Sequence, residues 1–214
     1  MTLFELSEVI ENGETQLVEF KRKFTEPEKI AKEMIAFANT KGGKILFGID
    51  DDKKVVGVES EKGEIEYIDL DAKFYCEPEL KYSVDILHIY RKDVVIADIP
   101  ESRRKPHRLI ENGKEDDDLN KVYIRVKDKS VLASKETIRV LRKLNPDSPP
   151  QIINLGEKEK ALLDYLNKHE ITHKEFKELL NISNRRASRI LVNLVRADLI
   201  RLHNLENEDY YTLN

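Results

Sequence analysis

Alternating and helical runs of apolar residues divide the first 145 positions into a mixture of strands and helices. In ETQLVEFKRKF, Glu14 to Phe24, strand geometry puts Val18 and Phe20 on one face and Leu17, Glu19 and Lys21 on the other. Upstream, TLFELSEVIENG has helical spacing and closes at Gly13. Downstream, TEPEKIAKEMIAFANTKGG carries Pro27 near its first turn, Ile30, Met34 and Phe37 at helical spacing, and Gly42-Gly43 as a stop. KILFGID and KVVGV read as two strands joined by the charged turn Asp50 to Lys54. IEYIDLDAKFY predicts a helix, YSVDILHIYRKDVVIADIP a hairpin turning near Arg91 to Asp93, KVYIRV a strand, and SKETIRVLRKL a helix capped by Ser134. The expected class is α+β, a mixed β-sheet flanked by helices.

The strongest break is KLNPDSPPQIINLGEKEK, Lys143 to Lys160, where three prolines and an Asn/Asp/Ser cluster cannot continue the preceding helix. It divides the chain into a domain over 1–145, a linker over 146–156 and a second domain over 157–214. In the second domain EKEKALLDYLNKH places Ala161, Leu162, Tyr165 and Leu166 on one face. Thr172 caps HKEFKELL, and Ser183 caps a helix striped by Ala187, Ile190, Leu191 and Leu194. LIRLHNLENEDYYTL closes as two strands around a polar turn. Three helices and a hairpin in this order predict a small winged helix-turn-helix domain.

Composition narrows the function. With 40% apolar and 36% charged residues over 214 positions, the chain suits a folded protein with a solvated surface. No apolar run approaches a membrane span, and the N-terminus lacks a signal-peptide layout, so a cytoplasmic location is expected. Cys76 is the lone cysteine, which excludes an internal disulfide and a cysteine-based zinc site. The acidic run Glu115 to Asp118 reads as a solvated loop tip. A net charge of −4 means that nucleic-acid binding must come from a local basic face.

Such a face is visible. From Ser183 to Arg201 five arginines stand against one acid, Asp198. If the apolar stripe is buried, the opposite face presents Asn184, Arg185, Ser188 and Arg189, with Arg186 beside them, donors suited to phosphates and base edges. Docking of a protein by such a helix is the competing reading. The loop SRRKPHR offers a second cationic surface through Arg103, Arg104, Lys105 and Arg108. The acids Glu206, Glu208 and Asp209 in the last turn would repel a phosphate backbone, so no contact is expected there.

A different chemistry is suggested by Glu19 and Lys21. A carboxylate and an ammonium two residues apart on a strand can hold a divalent cation and offset phosphate charge. Glu14, Glu19 and one of Asp50, Asp51 and Asp52 could converge on Mg²⁺ or Mn²⁺. Alternatively, Glu19 and Lys21 are an ion pair on a sheet face and the aspartates a polar turn. Gly42-Gly43 ends a helix and begins a strand, the reverse of a phosphate-binding loop, so no nucleotide cofactor is expected. The five histidines show no zinc-ligand spacing.

ETQLVEFK, IAKEMIAFANTKGGKILFGIDDDKKVVGV, VVIADIPESRRKPHRL and KVYIRVKD together resemble the Schlafen-type AlbA-like domain, over roughly Glu14 to Leu141. This domain is found in many bacterial regulators and in the animal Schlafen proteins. The resemblance implies nucleic-acid binding by the α+β domain, with Arg125 among the contacts. It also implies, from members that cleave transfer RNA, a carboxylate site matching Glu14, Glu19 and Asp50 or Asp51, with Lys21 as the motif lysine. Here Arg125 is followed by Val126, Lys127 and Asp128 where the family usually has glycine and small hydroxyl residues, so that contact loop departs from the pattern. A single lobe would need a homodimer to enclose an RNA helix. Two functions follow: a DNA-binding transcriptional regulator, and a metal-dependent endoribonuclease acting on transfer RNA or other structured RNA.

Overall fold

The computed structural model of the chain describes residues 1–110, 121–145, 155–206 and 208–214. The acidic run at 115–118 and most of the expected linker lie outside them. The described residues form two compact units, Met1–Leu132 and Ala133–Asn214.

In the first unit, α1 (Leu3–Asn12) begins in a capping box between Thr2 and Glu5, and β1 (Val18–Lys21), α2 (Pro27–Asn39) and β2 (Gly43–Phe47) follow. Then come α3 (Glu61–Phe74), β3 (Cys76–Glu77), β4 (Ser83–Ile89), β5 (Lys92–Ile99), β6 (Arg108–Leu109), β7 (Tyr123–Val126) and β8 (Lys129–Leu132). The main sheet has the order β1-β2-β5-β4, with β1 parallel to β2 and the other pairs antiparallel, so it is mixed as expected. Ile45, Phe47, Val95 and Ala97 bury one face of it against Ile30, Met34 and Phe37 of α2 and Ile68 of α3. On the other face Phe20, Leu46, Val94 and Ile96 meet Leu6 of α1. Gly43 has to be a glycine because a Cβ there would run into the Phe37 ring.

Three expectations change in detail. KVVGV contributes only an isolated bridge from Val55 to Ile49, since Gly57 takes a positive φ of 75° and turns the chain away. The β4–β5 turn is at Tyr90 and Arg91, both with positive φ, as a two-residue hairpin turn of primed type requires. KVYIRV pairs in its own hairpin, β7 with β8, outside the main sheet.

The second unit starts earlier than the proline-rich break suggested. Its first element, α4 (Lys135–Leu144), is followed by α5 (Glu157–Leu166), β9 (Ile171–Thr172), α6 (His173–Leu179), α7 (Asn184–Arg196), β10 (Ile200–His203) and β11 (Tyr210–Leu213). The strands form an antiparallel sheet of order β10-β11-β9. Leu162, Phe176, Ala187, Leu191, Leu194 and Tyr211 make its core. Hydroxyl chemistry ties α4 to this unit. Thr137 Oγ1 donates to Asp209 at 2.9 Å and accepts from Asn204 at 2.7 Å, while the Ser134 hydroxyl also reaches Asp209.

One buried acid lies beside the core of the first unit. Asp71 of α3 is 1% exposed, and its carboxyl oxygens complete no hydrogen bond to a described side chain. Burial pushes its pKa up to about 8, offset in part by the Ala31 amide.

Candidate nucleic-acid interface

Glu19 of β1 belongs to a buried ion cluster. The parallel register sets Glu19 beside Ile45 and Lys21 beside Phe47, on the face covered by α2. Arg125 of β7 is 2% exposed. Its guanidinium donates to Glu19 Oε2 at 2.9 Å, Glu33 Oε2 at 2.8 Å, the Thr15 carbonyl at 2.9 Å and the Asp128 carbonyl at 3.0 Å. It also lies over the Phe37 ring, 4.6 Å from the centroid. Lys21 takes the remaining oxygen of Glu19. Arg125 is therefore not a surface contact. It neutralises two acids and fastens the β7–β8 hairpin to β1 and α2.

Glu14 is close by: its Oε1 accepts from the Phe20 N–H at 2.9 Å. Burial raises its pKa, and the neighbouring Glu19 charge pushes the same way, against the Phe20 hydrogen bond and the Lys21 and Arg125 charges. Asp50 is elsewhere. It follows the end of β2, five residues past the register partner of Glu19, and its Oδ1 accepts from the Lys54 N–H at 2.8 Å. Asp51 is exposed on the same turn. Among the described residues no three His, Cys, Asp or Glu side chains are placed to hold a metal ion. Glu14, Glu19 and Asp50 as arranged do not fit Mg²⁺ or Mn²⁺, because Glu19 spends its oxygens on two cations and Asp50 turns an oxygen to the Lys54 amide.

The SRRKPHR loop is rigid at its base and cationic at its tip. His107 is buried, with Nδ1 at 2.7 Å from the Pro78 carbonyl and Nε2 at 2.7 Å from Ser102 Oγ, and burial lowers its pKa. Asn39 receives the His107 N–H at 2.7 Å and donates to the His107 and Tyr123 carbonyls. Lys105 is 8% exposed, with its ammonium on the Thr40 carbonyl and Glu101, and Arg108 pairs with Glu77. Of the four predicted contacts, Arg103 and Arg104 are the exposed ones.

In the second unit, α7 presents much of the predicted face, rotated. Ser183 caps it by accepting from the Arg186 N–H, and Asn184, Arg185, Arg186 and Arg189 are exposed. Ser188 is not: at 6% exposure its hydroxyl meets Arg139 at 2.8 Å and His173 at 2.9 Å. Val192, one turn along, is 5% exposed. The element covering this flank is α4, which packs on α7. Between the two helices lies a groove of about 1070 Å³ lined by Lys135, Arg139, Arg142 and Lys143 on one wall and Arg185, Arg189 and Arg196 on the other. Among the described residues its single carboxylate, Glu136, is bound to Arg139 at 2.9 Å.

Sequence reasoning missed Glu33, Ser130, whose hydroxyl accepts from Arg125 at 3.2 Å and reaches Glu33, and the α4 wall. A signal existed for the first, since Glu33 sits between Ile30 and Phe37 on the apolar face of α2 and an acid there needs a partner. Val192 was the signal for the last: it widens the apolar stripe of α7 beyond what one core can cover.

A mixed sheet covered by helices, with a separate helical unit, defines an α+β protein carrying an appended helix-and-hairpin module. The Schlafen, AlbA_2 family model matches residues 14–134, more than half of the sequence, and the chain belongs to that family. Solved structures similar to it include the adhesin competence repressor AdcR from Streptococcus pyogenes (20% identity, 28% of this chain and 48% of that one, TM-score 0.27). The DIP2311 protein from Corynebacterium diphtheriae matches at 16% identity over 78% of this chain and 37% of that one, TM-score 0.47. The N-terminal domain of a RecG-related protein from Nitrosomonas europaea matches at 18% identity over 62% of this chain and 92% of that one, TM-score 0.41. The chain spans less than half the length of the first two.

Proposed function

We propose that this protein binds nucleic acid as a DNA-binding transcriptional regulator, and that its second unit is a winged helix-turn-helix. In this reading α6 and α7 are the helix-turn-helix, the β10–β11 hairpin is the wing, and α7 enters a major groove. The observation that carries it is α7 itself. One face is buried in the core, while Arg185, Arg186 and Arg189 are exposed on a first turn and a half that contains no acid. Near the start of a recognition helix these side chains reach guanine edges and phosphates. The wing stands back, because Glu206 and Glu208 are exposed and Asp209 is spent on Ser134 and Thr137. Arg103 and Arg104 give the first unit a further cationic tip, in keeping with the expectation attached to its family.

The test is duplex binding measured by fluorescence anisotropy. Arg185→Gln/Arg189→Gln is expected to weaken binding at least tenfold, since each guanine-type contact contributes about 1–3 kcal/mol. Unchanged affinity in a folded double variant would remove α7 as the reading element. A second reading, metal-dependent cleavage of structured RNA, is favoured by the meeting of Glu14, Glu19 and Lys21 at one end of β1. It requires Glu19 to leave Arg125, and we derive no step through a metal. Incubating the protein with transfer RNA, with and without Mn²⁺, separates the two readings.

A further inference from the structure

The cations of α4 have no role in the reading above, although they form half of the groove beside α7. We infer that α4 is a phosphate-holding wall: with α7 in the major groove, one phosphate strand of the duplex lies between the two helices. Lys135, Arg142 and Lys143 hold it from one side, and Arg185, Arg189 and Arg196 from the other. This deepens the proposed duplex binding and rests on it.

Dimensions carry the argument first. A major groove is about 12 Å wide, and a helix with its side chains about 10–12 Å across, so α7 fills it alone. Packed helices lie roughly 8–10 Å apart, which puts α4 over the ridge bounding the groove, where the phosphates are. Burial agrees with this placement. Ser188 and Val192, covered by α4, cannot reach bases, so that flank of α7 is turned from the groove floor toward its edge.

Charge supplies the rest. Among the described residues seven cations and one carboxylate line the groove, and that carboxylate is already engaged by Arg139, in a chain with net charge −4. Cations so concentrated raise the local potential and attract a polyanion. Their spacing is also apt: Arg185 and Arg189 are one helical turn apart, as are Lys135 and Arg139, giving rungs about 6 Å apart along each wall. A phosphate strand passing between the walls meets donors from both sides.

The experiment uses the full chain and a fluorescein-labelled mixed-sequence duplex of about three helical turns, titrated across a range of salt. Arg142→Gln/Lys143→Gln removes two exposed cations from α4, and Lys160→Gln/Lys168→Gln removes two exposed cations from the region of α5 as a charge-matched control. Thermal unfolding of each variant is measured alongside. The α4 variant is expected to show a log-log salt slope shallower by about 1.8, two contacts at ~0.9 each. The affinity it loses between 50 and 200 mM salt is then about twelvefold smaller than for wild type. The control keeps the wild-type slope. An unchanged slope in the α4 variant, or tighter binding as expected of a cover lying over α7, overturns the inference and leaves α7 as the reader. Absence of wild-type duplex binding overturns both.

Discussion

Arg125 and Arg189 are the same side chain put to opposite uses. In the first unit the guanidinium is sealed between Glu19 and Glu33 and faces the Phe37 ring; in the second it stands in water beside other cations. The difference teaches that an arginine reports on function only once its burial is known. A buried arginine without acids would be too costly to keep, and one with acids is already satisfied. An exposed group of like charges raises the local potential and is open to what it meets outside.

Breaking the internal cluster gives the largest effect. Arg125→Ala strands Glu19 and Glu33 without their cation, and urea unfolding of the first unit is expected to show a loss of about 4 kcal/mol. Glu19→Ala should cost about 3 kcal/mol, since Glu33 still pairs with Arg125. A Glu19→Ala protein of wild-type stability that had lost a Mn²⁺-dependent cleavage of RNA would reverse the assignment of this residue from structural to catalytic. Glu14 offers no such test of charge, because its role is a hydrogen bond to the Phe20 amide.

Asp71 extends the contrast, being a buried carboxyl that keeps its proton instead of a cation. Its folded pKa, about 8, lies above the unfolded value near 3.8, so the folded state holds the proton more tightly. Stability from this group is full below pH 4 and falls as pH rises toward 8 and beyond, by an amount on the order of a few kcal/mol. Asp71→Asn should flatten that pH dependence and leave the first unit more stable than wild type at pH 8. A wild-type profile flat from pH 5 to 8 would show instead that Asp71 is ionised and partnered in solution. The smallest effect is expected in the second unit. Arg185→Gln/Arg189→Gln should shift unfolding by no more than ~0.5 kcal/mol, because neither side chain is buried.

Much of the fold was legible because it rests on local pattern. Pro27 and Gly42-Gly43 bracket α2, alternation marks β4 and β5, and Thr172 with Glu175 writes a capping box at α6. The site was less legible because its partners come from far along the chain. Glu19 and Lys21 were recognisable as a charged pair on a strand, yet nothing local says that Arg125, 106 residues away, will sit between Glu19 and Glu33. The same limit rotated α7. Its stripe predicted a buried face correctly, but Ser188 was assigned to the contact surface because α4 was grouped with the first domain. Prolines mark where a helix stops, and a helix that stops before them can still pack with the elements that follow.

One stretch of α2 deserves a mechanical description. Within eight residues ending at its C-cap, Glu33 and Phe37 hold Arg125, Asn39 holds His107 and Tyr123, and Thr40 receives both the Arg125 amide and the Lys105 ammonium. That is about 10 Å of helix, and both the ion cluster and the basic loop are indexed to it. Arg103 and Arg104 thus extend from a loop whose base is moored to the same short segment that moors Arg125, so one anchor serves both parts of the first unit.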